Sequence, residues 1–412
     1  MKLSLLTSTI TLVSILALVM VPTAAAKKAN TGYQTGFVRW RAADAGFAGW
    51  DLNGGVLLNG EGALEFDNAT ASIGSDPYAV GAYYGGNYYN GGDFRVGEAT
   101  SPVIPADFNY TEAIASWNAS TPEGSWIEVQ FSARYGSRWS KWYVLGIWAA
   151  EASEGSTIRR HSVKLQGDAD GFVAVDTFVS SNKRETPNAF QIKFLLFSVD
   201  GSATPVVRNA SVAYSTSAPK SAVVPPNEHP IWNTQLNVPE CSQMIYVGGG
   251  EVWCSPTSTS MVLGFWNDVG TCDTRVHAAV DGVFDWIYDG HGNWPFNTAY
   301  AATQGYEGYV ARFTSLAKAE EFVAHGVPVV MSIAWNKGEL SGSDIESTNG
   351  HLLVLVGFDG QGNPIVNDPA SPADDTVQRT YQRAEFEPLW LQASGGTVYL
   401  IYPEGHAVPE MP

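Results

Sequence analysis

GGGEVWCSPTSTSMVLGFW, residues 248–266, is the stretch on which the reading of this chain turns. A glycine-rich approach ends at Cys254. Ser255 has the side chain of a helix cap, and Pro256 suits a first helical turn, where its missing N–H needs no intrahelical partner. Met261, Val262, Phe265 and Trp266 recur at helical spacing and predict a helix with one face to bury. Backbone N–H groups at such a helix start favour thiolate over thiol. Cys254 is the candidate nucleophile, against the plainer alternative of a buried, inert cysteine.

Outward from this helix, HAAVDGVFDWIYD from 277 puts Val280, Val283, Phe284 and Ile287 on one face, and SLAKAEEFVAHG, 315–326, reads as a helix stopped by Gly326. VPVVMSIAW, HLLVLVGF, PIVNDP and TVYLIYP then read as strands. Helices followed by antiparallel strands predict an α+β domain over residues 229–403, with a tail at 404–412.

His351 opens HLLVLVGF directly after Gly350, DGQGN is a turn signal, and IVNDPA carries Asp368. The midpoint of His351 and Asp368 falls at 359–360, in or beside that turn. Antiparallel pairing of 352–358 with 363–367 therefore brings Asp368, or its neighbour Asn367, to the histidine ring; a one-residue slip changes which. A thiol nucleophile needs a base, and the base needs a group that fixes its tautomer. Cys254, His351 and Asp368 supply those roles, with Asn367 the alternative orienter of the histidine. Acyl transfer also needs oxyanion donors, for which the Cys254 N–H and the Gln243 side chain are the candidates.

Taken together, VPECSQMIYVGGGEVWCSPTSTSMVLGFW and NGHLLVLVGFDGQGNPIVNDPA resemble the C39-like branch of papain-like cysteine peptidases. That branch is similar to the peptidase domain of bacteriocin-processing transporters, without a transporter here. The resemblance rests on Gln243, the C-x-P-T-S from Cys254, Gly350-His351 and Asn367-Asp368-Pro369, and covers about residues 229–403. It implies a papain-like α+β domain with a Cys–His–Asp site and Gln243 in the oxyanion hole. Ser255 departs from the glycine that follows the nucleophile in many relatives, which bears on the shape of the cleft.

YDGHGNWPFNTAY, 288–300, reads as a loop, with Trp294 and Phe296 either packed beneath it, the favoured reading, or lining the substrate cleft. His291 within it lacks a strand–turn–strand partner comparable to Asp368 and is set aside as the base. His277, His229 and His325 read as structural or solvent-facing.

The chain opens with MKLSLLTSTITLVSILALVMVPTAAAKK, which reads as a secretory signal peptide over residues 1–26; an uncleaved anchor is the runner-up. No later segment has the character of a membrane span, so the mature chain is expected to be secreted. The remaining roughly 385 residues exceed a usual single core and predict two domains. Residues 31–215 carry alternating or fully apolar runs between Gly, Asn and Asp clusters, the pattern of an all-β sandwich or jelly-roll. Within WIEVQFSARY, Trp126, Glu128 and Gln130 fall on one side and Ile127, Val129 and Phe131 on the other, predicting a half-buried strand. The resemblance extends here too, since β domains precede such exported peptidase-like domains. Proline-rich residues 216–228 read as a linker.

Acidic residues outnumber basic ones 41 to 23, with no basic stripe, which argues against nucleic-acid binding. His161, Asp168, Asp170 and Asp176 form no diagnostic motif and read as solvated turns and strand polarity. Tyr83-Tyr84 and Tyr88-Tyr89 among glycines are a candidate ligand-contact surface or simply a mobile aromatic loop, and cell-surface or glycan contact is a candidate role of the N-terminal domain as a whole. Asn68, Asn109, Asn118 and Asn209 head N-x-S/T tripeptides, N-glycosylation acceptors only in a glycosylating host. Of three cysteines, Cys241 with Cys272 is the pairing that leaves Cys254 free; sequence alone leaves the other pairings open. No metal or cofactor motif is present, and none is inferred.

These residues predict an exported cysteine peptidase acting on peptide or protein substrates through a thioacyl intermediate. An amidase or acyltransferase using the same site is the second enzyme reading, and a catalytically inactive extracellular binding protein the third. Sequence says nothing of oligomeric state.

Overall fold

The computed structural model describes residues 32–151, 156–182, 184–217 and 232–411. The expected signal peptide lies outside these, as do His229 and all of the expected linker except Thr216 and Ser217.

The N-terminal half packs two antiparallel sheets face to face. In one, Val206–Ser215 runs between Glu112–Ser120 and the short Leu64–Phe66 strand and also pairs with Thr35–Arg41; in the other, Ala189–Ser198 lies between Ser125–Tyr135 and Asp93–Thr100. Aromatic side chains from facing strands meet between the sheets: Phe131 and Phe178 have ring centroids 5.1 Å apart, Phe190 and Tyr214 5.6 Å. Ile127, Val129 and Phe131 face this core, but the opposite side of their strand is not solvated. Trp126 stacks on Phe197 at 4.9 Å, and buried Glu128 accepts hydrogen bonds from Tyr89 (2.8 Å) and Gln130 (2.5 Å). The half-buried expectation is corrected there: the Tyr88-Tyr89 segment covers the second face, which strand periodicity does not reveal. That tyrosine patch is thus largely packed, with Tyr78 and Tyr84 left exposed.

The C-terminal half is mixed α+β. Its antiparallel sheet runs Tyr306–Arg312, Thr397–Pro403, Val329–Trp335, Thr348–Phe358, Pro364–Asn367, Gln378–Thr380. The helices are α1 (Cys254–Trp266), α2 (Cys272–Val283), α3 (Trp294–Thr303), α4 (Leu316–Ala324) and α5 (Arg383–Ser394). Strand alternation sorts them. Leu352, Val354 and Val356 join the core that holds α1 to α3, whereas Leu353, Leu355 and Phe358 join the one holding α4 and α5. Helix α1 is buried on nearly every side, from Ser255 through Gly264, rather than amphipathic. Most of its hydroxyls are internally bonded: Ser258 donates to the Leu352 carbonyl (3.1 Å) and Ser260 to that of Thr257 (2.7 Å), whereas the Thr257 hydroxyl is buried with no partner among the described residues.

The stretch expected as a loop at 288–300 contains α3. Asn293 caps it, accepting from the Phe296 N–H at 3.2 Å, and Pro295 sits in its first turn. Phe296 points away from any cleft, into the junction of the two halves, 5.3 Å from the Trp148 ring and 6.1 Å from Trp117. Fully buried there, it would cost about 3–5 kcal/mol to truncate to alanine. Polar pairing continues the junction. Asn118 donates to the Gly308 carbonyl (2.7 Å) and accepts from the Gly308 N–H (3.3 Å), and Ser116 accepts from the Val310 N–H (2.9 Å). Gly308 has to be glycine, because a Cβ would lie 2.4 Å from the Thr298 carbonyl oxygen. From Tyr33 onward the two halves form one contact unit.

Candidate active site

Two glycines with positive φ, Gly248 and Gly249, turn the chain into a short 3-10 segment, Gly250–Val252, and Cys254 begins α1. Ser255 does not cap the helix: it lies inside the first turn, buried, with its hydroxyl 2.9 Å from that of Tyr399. It is not among the residues facing the cleft, which corrects the expectation that it shapes that opening. Helix α1 is held over the Thr348–Phe358 strand by the Ser258 bond, which brings Cys254 to the end of the strand carrying His351.

Sheet register decides which neighbour reaches the histidine. Val354 pairs with Asn367, so Asn367 shares the face of Val354, while Asp368, one residue on, shares that of Leu353 and His351. Asp368 Oδ1 lies 2.7 Å from His351 Nε2. Asn367 is buried on the other side, donating to the carbonyls of Val238 (3.1 Å) and Pro239 (3.2 Å). Tyr381 donates its hydroxyl proton to Asp368 Oδ2 at 2.7 Å, and the Ala370 N–H donates to Oδ1 at 3.0 Å. With Nε2 engaged, Nδ1 is the ring nitrogen left to bond Cys254.

Buried His351 and Asp368 and the partly exposed Cys254 set one another's charge. Burial pushes the Cys254 thiol up, but the hydrogen bond and charge of His351, with the Leu352 and Ser255 N–H groups, outweigh it and hold the thiol below its ordinary value. Burial pulls His351 down, yet the Asp368 carboxylate and the Cys254 sulfur raise it to about 10. Burial opposes the ionisation of Asp368 too, and is overcome by His351 and by the Tyr381 and Ala370 donors, which leave it lowered. The favoured state is thiolate, imidazolium and carboxylate in a row.

This row opens on a cleft of 1320 Å³. Gln243 lines it, with Nε2 donating to the Gly250 carbonyl at 2.8 Å. Trp294 lines it as well. So does His291, but burial lowers that imidazole to about 4 against the weaker opposing pull of Asp281 and Asp289, and among the described residues no carboxylate hydrogen-bonds it. Sequence reasoning does not reach Tyr381 and misplaces Asp176. No spacing rule selects Tyr381, thirteen residues past Asp368, which arrives through the Gln378–Thr380 strand. Asp176, read as a solvated turn, is buried, and its Oδ2 accepts the Trp294 N–H at 2.7 Å. His161 is likewise buried, its ring bonded to the Tyr88 and Ser162 carbonyls.

Cys241 and Cys272 form a disulfide, and Cys254 is the free cysteine. Among the candidate acceptor asparagines, Asn68 and Asn109 are exposed. Asn118 is buried in the junction and Asn209 donates to it at 3.0 Å, so a glycan on Asn118 is incompatible with this packing. Among the described residues, no group of three or more His, Cys, Asp or Glu is placed to hold a metal ion. No helix there is long and apolar enough to cross a membrane.

Residues 235–398 match the family described as Peptidase_C39 like family, and residues 36–215 match the Peptidase C39 N-terminal domain. Comparison with curated proteins gives no match. Among solved structures, the chain is similar to a C39-like peptidase from Bacillus anthracis, at 19% identity over 40% of this chain and 94% of that one, with a TM-score of 0.29. It is similar also to a family two carbohydrate esterase from Cellvibrio japonicus, at 9% identity over 47% and 38%, TM-score 0.20. A carbohydrate-binding module of the beta-sandwich superfamily shows 10% identity over 43% and 55%, TM-score 0.19. Structural overlaps of this size bear on neither fold nor ligand. The two matched regions together take in most of the chain, which belongs to the C39-like cysteine peptidases and is of the peptidase class of enzymes.

Proposed function

We propose that the chain hydrolyses peptide bonds with Cys254 as nucleophile, His351 as general base and acid, Asp368 as the group orienting His351, and Gln243 with the Cys254 N–H as oxyanion donors. The observation that carries this reading is the unbroken contact from Cys254 through His351 to Asp368, with Cys254 and His351 lining a cleft of 1320 Å³.

The Cys254 thiolate adds to the scissile carbonyl carbon, and the oxyanion takes hydrogen bonds from its donors. Collapse breaks the C–N bond as His351 gives its proton to the leaving amine. Water, deprotonated by His351, then attacks the thioester; the C–S bond breaks, the acid departs and the thiolate–imidazolium pair is restored. Residues 1–26 belong to the same proposal as an export signal.

The test compares wild type with Cys254→Ala on a mixed peptide and amide library read by mass spectrometry. Peptide products with wild type alone are expected. Equal products from both proteins reject Cys254 catalysis, and acyl transfer without peptide cleavage selects an acyltransferase.

A further inference from the structure

One wall of the cleft comes from outside the peptidase half. The hairpin between the Gly171–Ala174 and Thr177–Ser180 strands of the N-terminal sandwich contributes Ala174, Val175 and Asp176 to the lining. It is fastened there. Asp176 takes the Trp294 N–H at the head of α3 on Oδ2 and the Thr177 hydroxyl, at 2.8 Å, on Oδ1. Cys254 and Tyr288 line the same cleft, so the hairpin and the nucleophile face one opening.

Val175 is at the turn of this hairpin with φ 60, a left-handed conformation that a β-branched residue rarely adopts and that Asn, Asp or Gly take readily. Its side chain is only half-buried, so full burial does not offset the strain. Met244, Val252 and Tyr288, large apolar groups that line the same cleft, are 43%, 60% and 44% exposed. Glu251 and Asp289 stand exposed in the same lining and repel anionic side chains.

We propose that Val175 is a specificity-determining residue: the sandwich hairpin, with Met244, Val252 and Tyr288, forms a subsite that takes an apolar, non-acidic side chain of the peptide substrate. The N-terminal domain on this view completes the substrate cleft. The inference rests on Cys254 as the reacting centre of that cleft.

Retention of a randomised decapeptide library on immobilised Cys254→Ala protein, with and without Val175→Asn, tests it without requiring turnover. Asparagine tolerates φ 60, so the hairpin keeps its shape. Enrichment of Leu, Ile, Val or Phe at one position by at least about fivefold is expected, falling at least about threefold in the Val175→Asn protein, a loss of the size that a single apolar contact carries. Val175→Gly, which removes the side chain and relieves the strain, is expected to lose the enrichment likewise. Identical profiles for the three proteins overturn the inference. Cleavage assays on proteins with Cys254 intact separate this result from the peptidase reading. Absence of turnover, with iodoacetamide still alkylating Cys254, counts against hydrolysis and leaves the retention profile to decide the role of Val175.

Discussion

His351 Nε2 lies 2.7 Å from Asp368 Oδ1, with both side chains buried, whereas Asn367 faces the opposite side of the sheet and ties down the Val238 and Pro239 carbonyls. The charged neighbour, not the neutral one, is bonded to the ring, and in the proposed mechanism it is the group that orients it. Asp368→Asn is expected to lower kcat/KM by about 10²–10⁴, the range seen when a buried triad carboxylate is neutralised. Asn367→Ala is expected to cost about 1–3 kcal/mol in a denaturation curve, from carbonyls left unpaired, with less than about a tenfold change in kcat/KM. The reverse ranking in paired kinetic and denaturation measurements sinks the assignment.

The thiol is held below 9.0 and the imidazole raised to about 10, so the ion pair spans the pH range between those limits. Alkylation of Cys254 by iodoacetamide is expected to rise along a thiolate limb that lies below pH 9.0. Peptide turnover is expected to fall as His351 loses its proton near pH 10. Stability follows the same signs. The contribution of His351 is fully present below 6.5, its ordinary value, and is lost as pH rises through about 10. The contribution of Asp368 is present above 3.8 and is lost as pH falls through its lowered value. A thermal midpoint profile flat at both edges contradicts this. In Asp368→Asn the upper kinetic limb is expected to move down by about a unit or more.

Much of this site is readable in sequence because it is local to a hairpin. A turn between two apolar runs fixes the pairing, and strand alternation separates Asp368 from Asn367 once the register is known. What sequence hides is set by packing across distant elements. Tyr381 reaches Asp368 through a third strand, and Asp176 is buried only because α3 docks on the sandwich hairpin. The second face of Ser125–Tyr135 is covered by a remote tyrosine segment, so a strand that alternates in sequence is buried on both sides. Helix α3 had a readable start in Asn293 and Pro295, but its surrounding glycines and aromatics resemble a loop. Phe296 packs in the core, as the favoured reading has it, but from a helix and not beneath a loop.

The Cys241–Cys272 disulfide closes a separation of 31 residues and joins the segment carrying Gln243 to the start of α2. Chain-entropy arguments put a loop of that size at about 3–4 kcal/mol. Cys241→Ser with Cys272→Ser is expected to lower the thermal midpoint correspondingly and to leave Cys254 as the one alkylatable thiol. In wild type under non-reducing conditions, a thiol count of one per chain is expected; a count of three removes the tether.

Gln243 is the residue whose role is most open to a decisive measurement. Its amide has two N–H donors, one of which is spent on the Gly250 carbonyl, while Oε1 is buried without a hydrogen-bond partner. In the proposed mechanism the remaining N–H serves the developing oxyanion, a role that rests on Gln243 lining the cleft with Cys254. Gln243→Ala is expected to lower kcat by about 10²–10³, as loss of one oxyanion donor does, with KM changed less than about threefold. Alkylation of Cys254 by iodoacetamide builds no oxyanion, because the attacked carbon is saturated, and is expected to proceed at the wild-type rate. Should alkylation fall in step with kcat, Gln243 acts by holding the Gly250 turn and the start of α1 in place, and the oxyanion assignment is wrong.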